Sequence, residues 1–231
     1  MLFFQSIMLS IAPQQCLICT EFFLNFGVCE VCFSQLNETH PPRCEGCGKT
    51  FPPVHGDFRC LDCMVNPEPF THLFTSFDYL PIAGRLIHEA KAMAQPRLFT
   101  QLWSAVDVAS LDKILDGVDV IVPIPDRKTR FRKRGFSTAR MIANRLSVMG
   151  TRLPIKDHLR WRKRTACQTT LSRAQRQLNV EGSLESSCVK GLRVLVVDDV
   201  CTTMSTVRAA SKALRRAGSS EVRVYALCRK T

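Results

Sequence analysis

No apolar run in this 231-residue chain approaches the ~20 residues that a helix needs to span a bilayer, so a helical membrane protein is not expected. The opening stretch, MLFFQSIMLSIA, is mostly apolar but has no basic leader region and no clear small-residue cleavage site. A secretory signal is therefore not expected either. The stretch reads as a short helix or strand packed on the body of the protein, with weak membrane-surface contact as the other reading. Low-complexity tracts are missing, and the only repeated unit is a pair of cysteines. Acidic residues are scarce: 20 Asp and Glu face 32 Lys and Arg, a formal charge of +12. Otherwise the composition is that of a globular chain, with 45% hydrophobic and 23% charged residues. Its length suits one sizeable core with an appendage, or two modest domains.

The charge is unevenly placed. Residues 1–68 hold 3 Lys and Arg against 7 Asp and Glu, a net of −4, whereas residues 69–231 hold 29 against 13, a net of +16. The change falls at Asn66-Pro67-Glu68-Pro69, where two prolines disfavour helix and mark a linker. A cysteine-rich domain over 1–68 and a second domain over 69–231 are expected. Within the second, Arg127 to Arg164 contains 14 basic residues and one acid, Asp157.

Of the 12 cysteines, eight form four CxxC pairs: Cys16/Cys19, Cys29/Cys32, Cys44/Cys47 and Cys60/Cys63. A CxxC pair on a tight turn aims two thiolates at one point, and two pairs complete a tetrahedron around Zn²⁺. With no secretory signal, a reducing, cytoplasmic setting is expected, where paired cysteines favour metal over disulfide. Sequential pairing gives two sites, Cys16/19/29/32 and Cys44/47/60/63. A crossed pairing, in which the first and third pairs share a metal, satisfies the same spacing. A disulfide framework or a redox CxxC is the competing reading. Gly46 and Gly48 suit the turn that brings amides to the sulfurs. Four thiolates leave no open coordination position, so the expected zinc is structural, and a segment this poor in apolar residues would depend on it for folding. His40 and His55 read as exposed loop residues. Cys167, Cys188, Cys201 and Cys228 lack metal spacing and read as packing residues or inert thiols.

Val194–Val197 is an unbroken apolar run, the pattern of a parallel strand buried on both faces. It leads into Asp198-Asp199 and then Val200-Cys201-Thr202-Thr203-Met204-Ser205-Thr206. A helix is expected next, with Val207, Ala210, Leu214 and Ala217 on one face and Gly218 as its stop, followed by a strand over Val222–Leu227. A strand, a hydroxyl-rich turn and a helix start make an anion site, because unpaired amides and the helix dipole converge there. Two acids at the strand end suit sugar hydroxyls or the hydration shell of Mg²⁺. Upstream, Asp119–Val122 and Pro123-Ile124-Pro125-Asp126 read as another strand and loop, and Ser137 caps a helix carrying Ala139, Ile142, Leu146 and Met149. Phe74–Leu80 reads as a strand, and Ile82, Leu86, Ile87, Ala90 and Met93 as the face of a helix carrying Lys91. The alternation implies a mainly parallel sheet.

The 194–206 block resembles the phosphoribosyl-pyrophosphate motif of type I phosphoribosyltransferases. By that resemblance Asp198 and Asp199 face ribose hydroxyls, Thr202, Thr203, Met204, Ser205 and Thr206 wrap the 5′-phosphate, and Pro123, Ile124 and Pro125 lie at the pyrophosphate. Met204 stands where those loops usually carry glycine, which permits close backbone approach or an unusual φ. Its side chain either points away at the helix start or crowds the phosphate. The VPIP…RKRGFS segment, the RKRTACQTTLSRAQRQLNVEGSL segment and the cradle, in that order behind a cysteine-rich start, resemble the ComF family, including GntX-like proteins. Members commonly show RGFN where this chain has Arg134-Gly135-Phe136-Ser137. The stretch Arg164-Thr165…Gln168…Leu171…Arg176…Asn179 resembles the mobile loop of amidophosphoribosyltransferases, a lid over the cradle.

The resemblance implies an α/β type I phosphoribosyltransferase fold, a mainly parallel sheet flanked by helices, behind a small N-terminal zinc-ribbon domain. It also implies a role in natural transformation or in the use of DNA as a nutrient. The partners would be single-stranded DNA and the DNA-uptake machinery at the inner membrane, with membrane association through those partners. The basic segment itself suits nucleic acid: Arg127, Lys128, Arg130, Arg132, Lys133, Arg134, Arg162, Lys163 and Arg164 would track phosphates, while Phe131, Phe136 and Trp161 stack on bases. Against this, the aromatics read equally as core and the charges as a solvated face, or several arginines serve pyrophosphate. The alternatives in function are a phosphoribosyltransferase with Mg²⁺ and an unidentified acceptor, or a sensor that binds phosphoribosyl pyrophosphate without turnover.

Overall fold

The computed structural model describes residues 13–36, 43–49, 59–150, 152–162 and 183–230. Two short antiparallel strands, β1 (Gln14–Gln15) and β2 (Phe22–Phe23), and one helical turn, α1 (Glu30–Phe33), build the first cysteine ribbon. The second closes with α2 (Leu61–Val65). After the linker come β3 (Leu73–Asp78), α3 (Pro81–Ala92), α4 (Pro96–Trp103), the short α5 (Asp112–Leu115), β4 (Val120–Pro123), α6 (Lys128–Arg134) and α7 (Thr138–Met149). A small hairpin of β5 (Leu159–Trp161) and β6 (Leu184–Ser186) precedes β7 (Arg193–Cys201), α8 (Ser205–Arg216) and β8 (Glu221–Arg229). The opening stretch and the lid segment 163–182 lie outside the described residues, as do His40, His55 and Cys167.

The central sheet has the order β3-β8-β7-β4, and every pair in it is parallel. Val194, Leu195, Val196 and Val197 are at most 1% exposed, as the unbroken apolar run requires of a strand covered on both faces. Each fully buried side chain of this kind contributes roughly 1.5–3 kcal/mol. Alternate residues feed two cores. Leu195 and Val197, with Tyr225 and Leu227, pack under α3, α4 and α7. Val194 and Val196, with Val222 and Val224, pack under α8 and the hairpin.

Two boundaries differ from the sequence pattern in an informative way. The first strand of the sheet is Leu73–Asp78 rather than 74–80, because Leu80 caps α3 and Pro81 occupies its first turn. The apolar run at 194–197 does not end at the acids: β7 continues to Cys201, because β8 keeps pairing beside it, Val200 with Cys228 and Cys201 with Arg229. On the other side β4 stops at Pro123 opposite Val197, where proline has no N–H to continue the ladder. Asp198 and Asp199 therefore lie just past the end of one neighbouring strand. That opening is the crevice of the sheet.

Candidate functional site

The eight paired cysteines gather in two groups, Cys16/19/29/32 and Cys44/47/60/63, with the sulfurs of each group within 4.8 Å of one another. The pairing is thus sequential, not crossed. Cys19 and Cys29 sulfurs are 3.8 Å apart and Cys47 and Cys60 sulfurs 3.6 Å. A tetrahedron with Zn–S bonds of ~2.3 Å has edges of about 3.8 Å, while a disulfide needs ~2.05 Å. The donor set therefore fits zinc. Both groups share one local plan. In the first, Cys16 Sγ accepts the amides of Ile18 and Cys29, and Cys29 caps α1. In the second, Cys44 Sγ accepts the amides of Cys47 and Cys60, and Cys60 caps α2. Burial pushes these two thiols up, but the amide donors outweigh it and bring Cys16 to about 6 and Cys44 to about 7. Amides aimed at sulfur hold it as the thiolate that a metal needs.

The two groups dock differently. Cys16, Val28 and Cys32 join the core beneath α4, where Gln101 accepts the Val28 amide at 3.1 Å and donates to the Val28 carbonyl at 2.6 Å. Cys44, Cys47 and Cys63 join the core on the opposite face of the sheet. Arg43 carries that ribbon to the end of β3, with one nitrogen 2.6 Å from both oxygens of Asp78.

At the crevice, a cavity of about 350 Å³ is lined by Asp198, Asp199, Thr206, Lys91, Trp161 and Ile124, together with Pro125, Arg127, Arg130 and Arg134. Asp199 is buried and held from the helical face: Lys91 Nζ on α3 lies 2.6 Å from its carboxylate, and Thr138 Oγ1 on α7 donates to the same oxygen. Ser137 places that helix, accepting the Arg140 amide at 3.3 Å as its cap. Asp198 accepts the Asp199 amide at 2.9 Å. Its burial, then the charge of Asp199, push its carboxyl up to about 7. An acid so raised is stabilised by anything that brings positive charge or hydroxyl donors to it.

Beyond the acids, Thr202 and Thr203 are exposed, and Ser205 and Thr206 are half-buried where α8 begins. Thr203 and Ser205 hydroxyls bond at 2.9 Å. Met204 holds the left-handed conformation, φ +62, that glycine would adopt there. Such a φ costs roughly 1–2 kcal/mol for a residue with a Cβ. Its side chain is buried in the core under α8, which settles the sequence-level choice: it points away from the cavity. Cys201 is also buried, and burial pushes its thiol up to about 12, in keeping with packing rather than reactivity. Cys228 is buried and Cys188 exposed.

The basic segment is not one surface. Arg127, Arg130 and Arg134 line the cradle cavity, and the Arg127 guanidinium lies over the Trp161 ring at 4.3 Å. Trp161 donates its indole N–H to the Pro125 carbonyl at 2.6 Å. Arg134, nine-tenths buried, pairs with Asp126 at 3.3 Å, and among the described residues its Nη1 has no hydrogen-bond partner. Lys128, Phe131, Arg132 and Phe136 border a separate cavity of about 650 Å³ beside α6. Lys133 is exposed, Arg162 lies 3.6 Å from Glu185, and Lys163 and Arg164 fall outside the described residues. Residues that pattern alone did not point to include Thr138, and also Glu68, Arg208 and Arg229. Arg229 lies beyond the strand expected over Val222–Leu227, and its burial is visible only in the fold.

Comparison with known proteins finds a double zinc ribbon domain over residues 7–64 and a phosphoribosyl transferase domain over residues 110–231. The chain is 30% identical over 221 residues to the DNA utilization protein YhgH of Escherichia coli O6:H1, covering 89% of this chain and 91% of that one. It is 28% identical over 211 residues to competence protein F of Haemophilus influenzae, covering 88% and 90% of the two chains. A purine phosphoribosyltransferase from Pyrococcus horikoshii overlaps 62% of this chain and 73% of its own, with a TM-score of 0.34 and 17% identity. The parallel sheet and the family match, not that overlap, identify the fold.

Proposed function

The chain belongs to the ComF family of double-zinc-ribbon phosphoribosyltransferase-fold proteins, and on that premise we propose that it is a DNA-utilisation or competence factor that binds phosphoribosyl pyrophosphate and handles single-stranded DNA on the cytoplasmic side of the inner membrane. Among the described residues no helix is long and apolar enough to cross a membrane; in this reading the uptake machinery is the partner that holds the protein there.

The observation that carries the ligand reading is the cavity at the carboxyl ends of β4 and β7, lined by two carboxylates, by Lys91 paired with Asp199, and by Arg127, Arg130 and Arg134. Diphosphate groups need several cationic donors, and ribose hydroxyls need acceptors. Arg134 Nη1, without a partner among the described residues, adds a donor whose burial an arriving anion would offset. In this reading Asp198 accepts from the ribose hydroxyls, α8 offers its N-terminal amides to the 5′-phosphate, and the arginines hold the diphosphate. Mg²⁺, when bound with the ligand, would neutralise diphosphate charge near Asp198, whose raised carboxyl fits that arrival. Zinc at the two cysteine centres would be structural.

The arginines in the cradle divide the work of the basic segment. Nucleic acid contact falls to the outward residues, Lys128, Arg132 and Lys133, with Phe131 nearly half exposed at 47% beside them. Titration calorimetry with phosphoribosyl pyrophosphate and Mg²⁺ tests the cradle: heat is expected from the intact protein and none from Asp198→Ala. No heat from the intact protein would sink the ligand reading. Charge reversal at Arg132 and Lys133 is expected to weaken single-strand binding and flatten its salt dependence. Binding indifferent to both salt and these residues would remove the DNA reading. Pyrophosphate release with candidate acceptors separates turnover from sensing.

A further inference from the structure

The last strand of the sheet ends in a buried arginine. Arg229 is 8% exposed, and among the described residues no carboxylate pairs with it. Its guanidinium instead gathers backbone carbonyls from two distant places. Nε donates to the carbonyl of Cys47, a ligand residue of the second cysteine centre, at 3.2 Å. Nη1 donates to the carbonyls of Cys201, at 3.0 Å, and of Thr202 and Lys230. A second arginine repeats the pattern: Arg208 on α8 is forked onto Glu68 in the linker at 2.6 and 2.7 Å and reaches the Thr203 carbonyl at 3.3 Å. The carbonyls of 201, 202 and 203 are thus all turned towards arginines that are anchored on the cysteine-rich half.

Peptide units are planar and trans, so a carbonyl and the following N–H point in opposite directions. Holding the carbonyls of Cys201, Thr202 and Thr203 therefore turns the amides of Thr202, Thr203 and Met204 the other way, as a nest for an anion requires. Met204 in its left-handed conformation completes the turn. A buried guanidinium is costly unless its donors are satisfied, and the Cys47 carbonyl is the partner that holds Nε. That carbonyl belongs to the CxxC turn that folds around the second centre. Gly48, at φ +69, lets the same turn pass close to the Arg229 stem.

We propose that Arg229 is a positioning residue that couples the second cysteine centre to the cradle loop, so that zinc at Cys44/47/60/63 sets the order of residues 201–204 and with it the affinity for phosphoribosyl pyrophosphate. This rests on the ligand reading of the cradle given above. Among the described residues the first centre, on the opposite face of the sheet, has no such route, and its role in this proposal is stability alone. By linkage the coupling is reciprocal: ligand in the cradle raises the affinity of the second centre for zinc by the same factor.

The test uses the full-length, zinc-loaded protein with Arg229→Met, Arg229→Lys, Cys60→Ser and the Arg229→Met/Cys60→Ser double variant, and with Arg193→Met as a remote control. Zinc per chain is counted, ligand affinity is measured by calorimetry, and amide hydrogen exchange is followed at 194–197 and at Arg208 and Lys230, whose amides donate to the Met204 and Cys201 carbonyls at 2.9 and 3.0 Å. Arg229→Met is expected to keep two zinc ions, raise exchange at Arg208 and Lys230 at least 10-fold with 194–197 unchanged, and weaken ligand at least 10-fold. Arg229→Lys regains part of both, since one ammonium reaches some but not all of the carbonyls. Cys60→Ser loosens the same amides, and the double variant adds little to either single one.

Unchanged exchange and affinity in Arg229→Met with two zinc ions bound would overturn the proposal, as would full additivity in the double variant. If Arg229→Met fails to fold, Arg229→Lys and Cys60→Ser decide alone: faster exchange at Arg208 and Lys230 in both supports the coupling, and in neither refutes it. Should the intact protein give no heat with ligand, the cradle reading fails, while the exchange data still decide whether the centre and the loop are coupled.

Discussion

The two cysteine centres are built alike and placed unlike. In each, the first sulfur accepts the amide of the third cysteine, and that third cysteine caps a helical turn bearing the fourth. Yet the first centre docks beneath α4 through Gln101 and Val28, whereas the second lies on the opposite face and touches the arginine that grips the cradle loop. Identical ligand chemistry therefore gives one centre a local task and the other a reach into the candidate site. What separates them is where the surrounding chain carries each one, a property of packing rather than of the CxxC turn.

The strongest way to break this comparison is to remove one ligand from each centre. Cys29→Ser and Cys60→Ser should each lose one zinc ion and on the order of 3 kcal/mol or more of stability, measured by elemental analysis and chemical denaturation. Only Cys60→Ser should also weaken phosphoribosyl pyrophosphate; equal effects on ligand would erase the distinction. Next in size are the glycines of the two ribbons. A Cβ at Gly27, φ +109, would meet Gln101 Oε1 at 2.3 Å and Leu98 Cδ2 at 2.9 Å, whereas one at Gly48 would meet only Leu73 Cδ2 inside 3.4 Å. Gly27→Ala should cost about 3 kcal/mol and speed zinc release from the first centre, and Gly48→Ala about 1 kcal/mol. The reverse order in urea unfolding would show that the tighter docking belongs to the second ribbon.

Asp198 tests the cradle, which the first centre does not touch. Its carboxyl sits at about 7 when folded against 3.8 as the ordinary value. The unfolded chain gives up this proton first, so stability falls as pH rises from about 4 through 7. Asp198→Asn should therefore stabilise the protein by about 2 kcal/mol at pH 8, with the gain shrinking towards pH 4, while abolishing ligand heat. A loss of stability at pH 8 would contradict this. The smallest effect is expected at Ser137, which belongs to neither ribbon: Ser137→Ala removes the cap of α7 at a cost of about 1 kcal/mol, read as a lowered midpoint with both zinc ions retained.

Much of this was legible before any coordinates. The acids after Val194–Val197, the hydroxyls before α8 and the Ser137 cap are local signals, and each residue lies where its neighbours along the chain predict. The strand past Asp199 was not legible, because polar residues interrupt the apolar pattern while β8 goes on pairing beside it. The basic run from Arg127 to Arg134 reads as a single charged stripe. The helix and Gly135 turn divide it, sending Arg134 inward to Asp126 and leaving Lys133 outside. Lys91 was placed on its helix by periodicity and Asp199 at its strand end, yet their pairing was not foreseen, since nothing along the chain links the two.

The sequence by itself determined the eight paired cysteines, the acid-and-hydroxyl block after Val194–Val197 and the α/β order of elements. All of these are set by spacings of a few residues and by the apolar periods of helix and strand. Tertiary structure alone decided that the cysteines pair sequentially, that the two centres sit on opposite faces of the sheet, and that Met204 turns into the core. It also joined Arg229 to Cys47 across 182 residues of chain. Contacts of that range depend on the path of the whole fold, and buried donors take whichever carbonyls that path brings within reach.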